Sequence, residues 1–337
     1  MKMRMRQAIS MALADEMRAD PRVVVFGEDI ATAEGPFKTS EGLLEEFGPL
    51  RVRDTPISEM GFVGAAVGAA ATGLRPVVEI MFVEFLGVAL DQLVTEASKF
   101  RYLSGGAYSV PMVLRASVGA GLGFGAQHSQ TLETWLFATP GLKLVVPSGP
   151  RTAYGLLRAA IRDEDPVVVL EPRILYAERE EVVVGDEGII PIGVGEILQT
   201  GNDVTIVALG QMVGKALAAA KGADWNAEII DLRSLIPWDR EMVCESVSRT
   251  GRLVIVEESP FSGGWGTEVA SYVAAECFDV LVAPVHRITC PDVPVPYPPH
   301  LEQKFLPSAD YIRIQIEELV RKNSRPKPWW ITEGYVS

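Results

Sequence analysis

Short apolar runs recur along the first half of this chain, and a helix-length segment separates each run from the next. The runs are Val23–Phe26, Pro76–Ile80, Pro111–Arg115, Lys143–Val146 and Pro166–Leu170. A run that is apolar almost throughout predicts a strand buried on both faces, which is typical of a parallel sheet. Alternation of such strands with helices predicts an α/β fold in which helices cover both faces of the sheet.

This alternation stops after residue 170 and restarts at Val204. The segment between is charged and dotted with glycine, which predicts a linker with a small hairpin. We therefore predict two α/β domains, each a mostly parallel sheet flanked by helices, over residues 1–175 and 204–325. Residues 176–203 would be the linker and 326–337 a tail. The proline-rich stretch Pro291–Pro299 and the start of the tail are predicted to be extended.

Composition excludes several classes of function. The formal net charge of -13 argues against a nucleic-acid or anionic-membrane partner, because both need a basic surface, and it allows a basic protein partner. No apolar run reaches the ~20 residues of a membrane span, and we recognise no signal peptide. The three cysteines and three histidines are dispersed, which predicts no zinc site. A cytoplasmic location is the expectation.

Two stretches place single reactive side chains at turns. Glu59 lies where the extended run 51–57 meets a helix built largely from Gly, Ala and Val, and His128 follows a glycine-rich loop. Taken alone, Glu59 is equally well explained as a cap of a helix N-terminus, and a lone histidine is more often structural than catalytic. Glu28 and Asp29 follow the first strand and fit either a ligand site at the sheet edge or a solvated turn.

The loop Gly119–Gly125 does not match a dinucleotide-binding fingerprint, because Phe124 stands where a third Gly or Ala is needed and no helix opens directly from it. Its glycines instead predict a flexible stretch that lets the backbone and His128 approach a ligand. In the helix that follows Glu59, each internal glycine costs about 1 kcal/mol relative to alanine. We therefore expect that helix to pack tightly against another helix, either of the same chain or of another subunit.

Seven stretches in order carry a family resemblance: Arg53–Gly64, Gly73–Glu79, Ala126–Gln130, Pro140–Lys143, Asp165–Val167, Asp231–Pro237 and Asp292–Tyr297. They resemble the beta subunit of thiamine-diphosphate-dependent 2-oxo acid dehydrogenases, the decarboxylating components of the pyruvate and branched-chain complexes and of acetoin dehydrogenase. The resemblance spans residues 4–322. It implies a transketolase-like fold with a pyrimidine-binding domain and a transketolase C-terminal-like domain.

The resemblance also implies roles for single residues. Glu59 would hydrogen-bond the pyrimidine ring nitrogen of thiamine diphosphate and promote the proton shift that activates the cofactor. His128 would give and take protons during the reaction and assist acyl transfer to a lipoyl group. Phe85 would stack on the aminopyrimidine, with an ordinary core residue as the alternative, and Met81 and Gln127 would line the cofactor.

Metals and partners follow from the same resemblance. The chain has no Gly-Asp-Gly motif of the kind that begins a magnesium–diphosphate site. An alpha subunit would therefore hold Mg²⁺ and the diphosphate in an alpha2-beta2 heterotetramer. A dihydrolipoyl acyltransferase core would dock through its subunit-binding domain and its lipoyl domain. Relatives also bind potassium through backbone carbonyls, which implies a site at Ala160, Asp163 and Asp165.

The implied activity is that of a pyruvate dehydrogenase-like enzyme, with oxidative decarboxylation of a 2-oxo acid and reductive acylation of lipoyl groups. Acetoin cleavage is the close alternative, because the stretches 79–92 and 119–130 resemble both kinds of enzyme. A non-catalytic, transketolase-like scaffold subunit is a second alternative. A two-chain transketolase half acting on sugar phosphates is a third.

Overall fold

The structure of the protein is a computed structural model that describes residues 1–333. Its strands are β1 (Lys2–Arg4), β2 (Val23–Gly27), β3 (Val52–Asp54), β4 (Arg75–Ile80), β5 (Val113–Val118), β6 (Lys143–Val145), β7 (Val167–Pro172), β8 (Arg179–Glu181), β9 (Glu196–Gln199), β10 (Val204–Ala208), β11 (Ala227–Asp231), β12 (Ser234–Ile236), β13 (Leu253–Pro260) and β14 (His286–Cys290).

The helices begin with α1 (Met5–Ala19), α2 (Leu43–Phe47), α3 (Glu59–Ala71), α4 (Leu86–Asp91), α5 (Ser98–Leu103), α6 (Glu133–Phe137) and α7 (Pro150–Arg162). They continue with α8 (Gln211–Ala220), α9 (Arg240–Thr250), α10 (Gly266–Glu276), α11 (Pro299–Phe305), α12 (Ala309–Lys322) and α13 (Trp329–Thr332). A 3₁₀ turn over Val83–Phe85 precedes α4, and a π-helical segment over Gln92–Ala97 joins α4 to α5.

The contacts of the chain form two units. The first contains residues 1–118, 135–192 and 235–237, and the second contains 119–134, 193–234 and the chain from Trp238 onward. The glycine-rich loop therefore belongs to the second unit, whereas residues 176–192 belong to the first. The predicted limits at residues 175, 203 and 325 stay predictions about separate domains.

The first unit is built on a seven-stranded sheet in the order β12-β6-β7-β5-β4-β2-β3. The pairs that join β6 through β3 are all parallel. Alternate strand residues such as Val23, Val25 and Val77 bury themselves against α1 and α7, which pack on each other. Helix α3 packs on β4 and on α4. Because all these strands run the same way, their carboxyl ends meet at one edge.

The second unit contains a five-stranded sheet in the order β14-β13-β10-β11-β9, in which β9 alone is paired antiparallel. Strands β10, β11 and β13 contribute Ile206, Ile229 and Val254 to a core completed by α8 and α12. The predicted fold class, two mostly parallel sheets flanked by helices, is confirmed. Among residues 1–333 the structure has no helix long and apolar enough to cross a bilayer.

Three local predictions are wrong. The segment 171–203 does not form a hairpin, because β8 pairs with β1 and β9 joins the second sheet beside β11. The start of the tail is not wholly extended, since α13 forms there and Trp330 is buried. The stretch 291–299 is extended only up to Pro299, where α11 begins. Residues 334–337 of the predicted tail lie outside the described residues.

Candidate active site

Two acidic side chains meet at the carboxyl edge of the first sheet. Glu28 directly follows β2. Strand β3 pairs in parallel with β2 and leads into helix α3, whose first residue is Glu59. Glu28 is 9% exposed and Glu59 is 8% exposed. Buried carboxyl groups are uncommon unless they are paired or serve a site, so this edge is the first candidate for chemistry.

The electrostatics of Glu28 show that the two groups interact. Burial raises the pKa of the Glu28 carboxyl, and the charges of Glu59 and then Asp29 raise that pKa further. The Ser58 backbone N–H donates to Glu28 and opposes the shift. Oε1 of Glu28 has no hydrogen-bond partner among the described residues. A carboxyl group whose pKa is raised by burial and by a neighbouring charge suits acid–base work.

Glu59 is not the cap of its helix. Ser58 occupies the N-cap position without a side-chain cap bond, and Glu59 is the first residue of the helix itself. A carboxylate in the first turn is favoured by the partial positive charge of the helix N-terminus. That effect needs no burial, whereas Glu59 is almost fully shielded from solvent. Its burial beside Glu28 separates it from an ordinary surface residue of a first turn.

Aromatic side chains follow β4 at the same edge. The rings of Phe82 and Phe85 lie 5.9 Å apart at 83°, and Phe37 lies 5.9 Å from Phe82. The Arg173 guanidinium lies 4.7 Å from the centre of the Phe82 ring. Phe85 is only half-buried, which does not fit an ordinary core residue, and Met81 at the end of β4 is also half-buried. These residues offer apolar surface on which a flat ring could rest.

A buried ionic network lies within the strands that carry this edge. Arg115 on β5 donates to both oxygens of Glu171 on β7, at 2.7 and 2.9 Å, and to Glu79 on β4 at 2.7 Å. Thr39 donates to Glu79 and Tyr176 donates to Glu171. Burial raises the pKa of Glu79, and the positive charge of Arg115 opposes this shift without cancelling it. Sequence reasoning missed this network, since its members lie far apart in the chain.

The glycine-rich loop of the second unit carries Gln127 and His128. Its four glycines, Gly119, Gly121, Gly123 and Gly125, all have φ between 71° and 108°, which explains why glycine occupies every second position. The Gly119 N–H donates to the Gln130 carbonyl at 3.0 Å and closes the loop. His128 is half-buried, and Gln127 is exposed. The first helix after the loop is α6, which begins at Glu133, in agreement with the rejection of a dinucleotide fingerprint.

Acidic residues also surround this loop in the second unit, and sequence reasoning missed them. Glu258 on β13 and Glu302 on α11 accept hydrogen bonds from loop N–H groups. Burial raises the pKa of Glu133 to about 8, with the charges of Glu258 and Glu257 adding to it. Glu257 and Glu258 follow the apolar run Leu253–Val256. The same signal, an acid after a buried strand, drew attention to Glu28, so it could have found these two residues as well.

Two of the three residues of the predicted potassium site have carbonyl oxygens that accept hydrogen bonds from the protein. The Ala160 carbonyl accepts from the Asp163 N–H, and the Asp163 carbonyl accepts from Arg75 at 3.0 Å. The Asp163 carboxylate lies 2.7 Å from Lys143 Nζ, and the Asp165 carboxylate pairs with Arg101 at 2.7 Å. A cation at these carbonyls would meet the positive charge of Arg75. The potassium site stays a prediction.

Magnesium has no evident protein ligands in the part of the chain that the structure describes. No group of three or more His, Cys, Asp or Glu side chains there could hold a metal ion. The buried carboxyl pair and the half-buried phenylalanines, by contrast, fit an aminopyrimidine, which needs a carboxyl partner for a ring nitrogen and an apolar surface for its face. The residues at this edge therefore fit the aminopyrimidine ring of thiamine diphosphate.

Comparison with known proteins identifies the fold. Residues 1–179 match the family described as "Transketolase, pyrimidine binding domain", and residues 193–312 match "Transketolase, C-terminal domain". A solved split gene transketolase, described as an inactive beta4 tetramer, has a TM-score of 0.77 and 27% identity, over 94% of this chain and 98% of that chain. The fold and the site define a transketolase-like protein with a pyrimidine-binding domain.

Sequence relatives narrow the class. The chain is 47% identical to pyruvate dehydrogenase E1 component subunit beta-2 of Oryza sativa subsp. japonica, over 92% of this chain and 84% of the relative. It is 43% identical to acetoin:2,6-dichlorophenolindophenol oxidoreductase subunit beta of Bacillus subtilis, over 91% and 94% respectively. It is 39% identical to 2-oxoisovalerate dehydrogenase subunit beta of the same organism, over 93% and 97%. The chain belongs to the beta-subunit family of thiamine-diphosphate-dependent 2-oxo acid dehydrogenases, which confirms the resemblance drawn from its motifs.

Proposed function

We propose that this chain is the beta subunit of an alpha2-beta2 enzyme that decarboxylates a 2-oxo acid and transfers the acyl group to lipoyl. The observation that carries the proposal is the buried carboxyl pair, Glu28 and Glu59, at the carboxyl edge of the first sheet. Glu59 exchanges a proton with the pyrimidine ring nitrogen, and Glu28, whose pKa is raised by burial and by the charge of Glu59, lies beside it.

Other residues of the chain bind, orient and move protons in this proposal. Phe85 and Met81 carry the pyrimidine ring on their half-buried surfaces, and the exposed Gln127 is a further candidate for cofactor binding. Bound thiamine diphosphate supplies the electron sink that allows carbon dioxide to leave the 2-oxo acid. His128 gives or takes a proton at the substrate oxygen and at the lipoyl sulfur, which suits an imidazole near neutral pH.

An alpha subunit completes the site in this proposal and holds Mg²⁺ with the diphosphate. Support comes from two observations: the relatives are named as beta subunits, and the solved split gene transketolase is described as an inactive beta4 tetramer. Docking of a dihydrolipoyl acyltransferase core fits the net charge of -13, which would attract a basic docking domain. The cytoplasmic location stays a prediction.

The substrate is the open part of the proposal, because the relatives act on different compounds by name. We favour pyruvate, since Met81, Phe82 and Phe85 are bulky, which favours a small substrate over a branched one. Acetoin is the second candidate, on the strength of the 43% identical acetoin oxidoreductase subunit. The scaffold alternative lacks support, because it gives no reason to bury two interacting carboxyl groups.

A substrate panel tests the proposal. The chain is co-purified with its alpha subunit and assayed with pyruvate, branched 2-oxo acids and acetoin, with lipoyl domain or an artificial electron acceptor. We expect the highest kcat/KM with pyruvate and reduction of lipoyl only when a 2-oxo acid is present. A preference for acetoin would move the assignment to acetoin dehydrogenase. Absence of activity with all of them, despite bound cofactor, would overturn the proposed function.

A further inference from the structure

Two carboxylates, those of the half-buried Glu258 and the buried Glu302, hold the backbone of the loop that leads to His128. The Ala120 N–H donates to Glu258 Oε1 at 2.6 Å. The N–H groups of Gly121 and Gly123, two residues apart, both donate to Glu302, at 2.8 Å to Oε1 and 3.0 Å to Oε2. Three backbone N–H groups of the loop thus donate hydrogen bonds to two side chains from distant parts of the chain.

The glycines of the loop allow these two carboxylates to approach its backbone closely. Gly121 and Gly123 have φ of 108° and 74°, a backbone conformation that turns both N–H groups toward the same anion. A Cβ at Gly119 would lie 3.0 Å from Glu258 Oε1, so a side chain there would press on that carboxylate. Glycine at these positions therefore serves the approach of the two carboxylates as well as the turns.

Both carboxylates are themselves fixed. Glu302 is 4% exposed and sits on α11, while Glu258 extends from β13. Gln211, the first residue of α8, donates to Glu258 Oε2 at 2.6 Å and to the Ala120 carbonyl at 3.4 Å. The loop is therefore tied to a helix, to a sheet strand and, through Gln211, to a second helix. A charged acceptor forms stronger hydrogen bonds to N–H groups than a neutral one.

We propose that Glu302 and Glu258 are positioning residues that fix the backbone of residues 119–125 and thereby the orientation of His128. Two backbone hydrogen bonds connect the loop to His128. The His128 N–H donates to the Gly125 carbonyl at 3.4 Å, and the Gly119 N–H donates to the carbonyl of Gln130, two residues beyond His128. Neither carboxylate acts on the substrate in this proposal. The proposal rests on the proposed function only for the role of His128 in the reaction.

Glu302→Gln is the sharpest variant, because it keeps the shape of the side chain while one of its two acceptor oxygens becomes a donor. Hydrogen exchange is measured on the enzyme assembled with its alpha subunit. We expect peptides spanning residues 119–132 to exchange at least tenfold faster, with exchange in β10 unchanged. Glu317→Gln, on α12 and away from the loop, removes the same charge and serves as the control. Unchanged exchange of the loop in Glu302→Gln would overturn the proposal.

A double-mutant cycle with His128→Ala shows whether the carboxylate acts through the histidine. We expect Glu302→Gln to lower kcat for lipoyl acylation at least tenfold, with the cofactor affinity unchanged within twofold. In the His128→Ala background the same substitution should lower kcat by less than twofold. Equal losses in both backgrounds, or faster exchange without any loss of kcat, would contradict the positioning role. A general loss of structure would instead lower cofactor affinity.

Two measures keep the outcome interpretable. If Glu302→Gln does not fold, Glu258→Gln is carried through the same exchange and kinetic measurements, with the same expected results. The exchange measurement needs no turnover, so it judges the loop contacts even if the substrate assignment fails. An enzyme that is inactive with every substrate but shows the tenfold exchange effect would contradict the proposed function while leaving the loop contacts supported.

Discussion

Glu59 begins a helix, yet its side chain is buried next to a second carboxyl group whose pKa is raised. A glutamate that only stabilised a helix N-terminus would gain nothing from a second carboxyl group beside it, because two negative charges repel each other. The two groups are close enough for the charge of Glu59 to raise the pKa of Glu28. The proposed chemistry therefore rests on the environment of Glu59 more than on its place in the helix.

Glu59→Gln should leave the fold intact and remove most of the activity. An amide cannot take up or release a proton at the ring nitrogen, and general acid–base groups typically contribute 10²–10⁴-fold. We expect kcat of the assembled enzyme to fall by about that factor. The matched control is Glu45→Gln, an exposed residue of α2, which should keep its kcat. Near-normal turnover in Glu59→Gln would remove this residue from the mechanism.

Glu133 predicts a pH dependence of stability. Burial, with Glu258 and Glu257 nearby, raises the pKa of Glu133 from 4.5 to about 8. The folded protein therefore keeps a proton that the unfolded chain releases near pH 4.5, so this contribution to stability is lost as the pH rises between those values. The loss has a slope of up to about 1.4 kcal/mol per pH unit.

Glu133→Gln should remove this dependence. Relative to the unmodified chain, the variant should gain unfolding free energy steadily from about pH 5 to pH 8, because the amide carries no titrating proton. Urea unfolding at a series of pH values measures the difference, with Glu45→Gln as the exposed control. A constant difference across this range would show that Glu133 ionises normally in the folded protein.

At the scale of elements, the central strands of the first sheet are joined by charge as well as by backbone hydrogen bonds. Arg115 is 1% exposed and links β4, β5 and β7 through Glu79 and Glu171. Removing one member of a buried ionic network leaves the others without compensation, which is far more costly than replacing the whole set. The strand ends that carry the candidate site depend on this network for their support.

Arg115→Met should therefore destabilise the protein by about 3–5 kcal/mol, since two buried carboxyl groups lose their cation. The free energy of unfolding in urea measures the effect. Arg179→Met, which removes an exposed arginine from β8, should change this free energy by less than about 0.5 kcal/mol. If both variants were equally stable, the network would have no structural role.

The short helix α13 attaches the last described residues to the second unit. Trp330 is 2% exposed, the Trp329 N–H donates to the Tyr311 hydroxyl at 3.3 Å, and Lys304 Nζ lies 4.6 Å from the centre of the Trp329 ring. Lys304 belongs to α11, the helix that also carries Glu302. The tail thus supports the helix that holds the glycine-rich loop.

Trp330→Ala should lower the free energy of unfolding by about 3–5 kcal/mol, because a large buried ring is removed and a cavity remains. The neighbouring Ile331 is 50% exposed, and Ile331→Ala should cost less than about 0.5 kcal/mol. Thermal or urea unfolding of both variants gives the comparison. Equal stability of the two variants would mean that the tail does not pack as described.

The elements that the sequence predicts well are those with a strong local pattern. The apolar runs that become β2, β4 and β7 fall within two residues of their predicted bounds. Strands β1, β8 and β9 are short and pair with distant segments, so no local pattern could assign their partners. Glu59 and Phe85 could be named from motifs, but their burial and the interaction with Glu28 depend on the folded sheet.

At the scale of the whole molecule, the chain matches the transketolase pyrimidine-binding and C-terminal domains and belongs to the beta-subunit family of 2-oxo acid dehydrogenases. Family members carry the names of beta subunits, and their substrates differ although their identities to this chain all lie between 39% and 47%. Global similarity therefore does not separate pyruvate from acetoin. The division of labour between two chains is the feature on which the account depends most.

The most direct test is a titration of thiamine diphosphate with Mg²⁺, carried out on this chain alone and on the chain assembled with its alpha subunit. We expect saturable binding of one cofactor per beta chain in the assembled enzyme and none in the isolated chain. Tight binding by the isolated chain would contradict the divided site. Failure of the assembled enzyme to bind the cofactor would contradict the assignment of Glu59 and would favour the scaffold alternative.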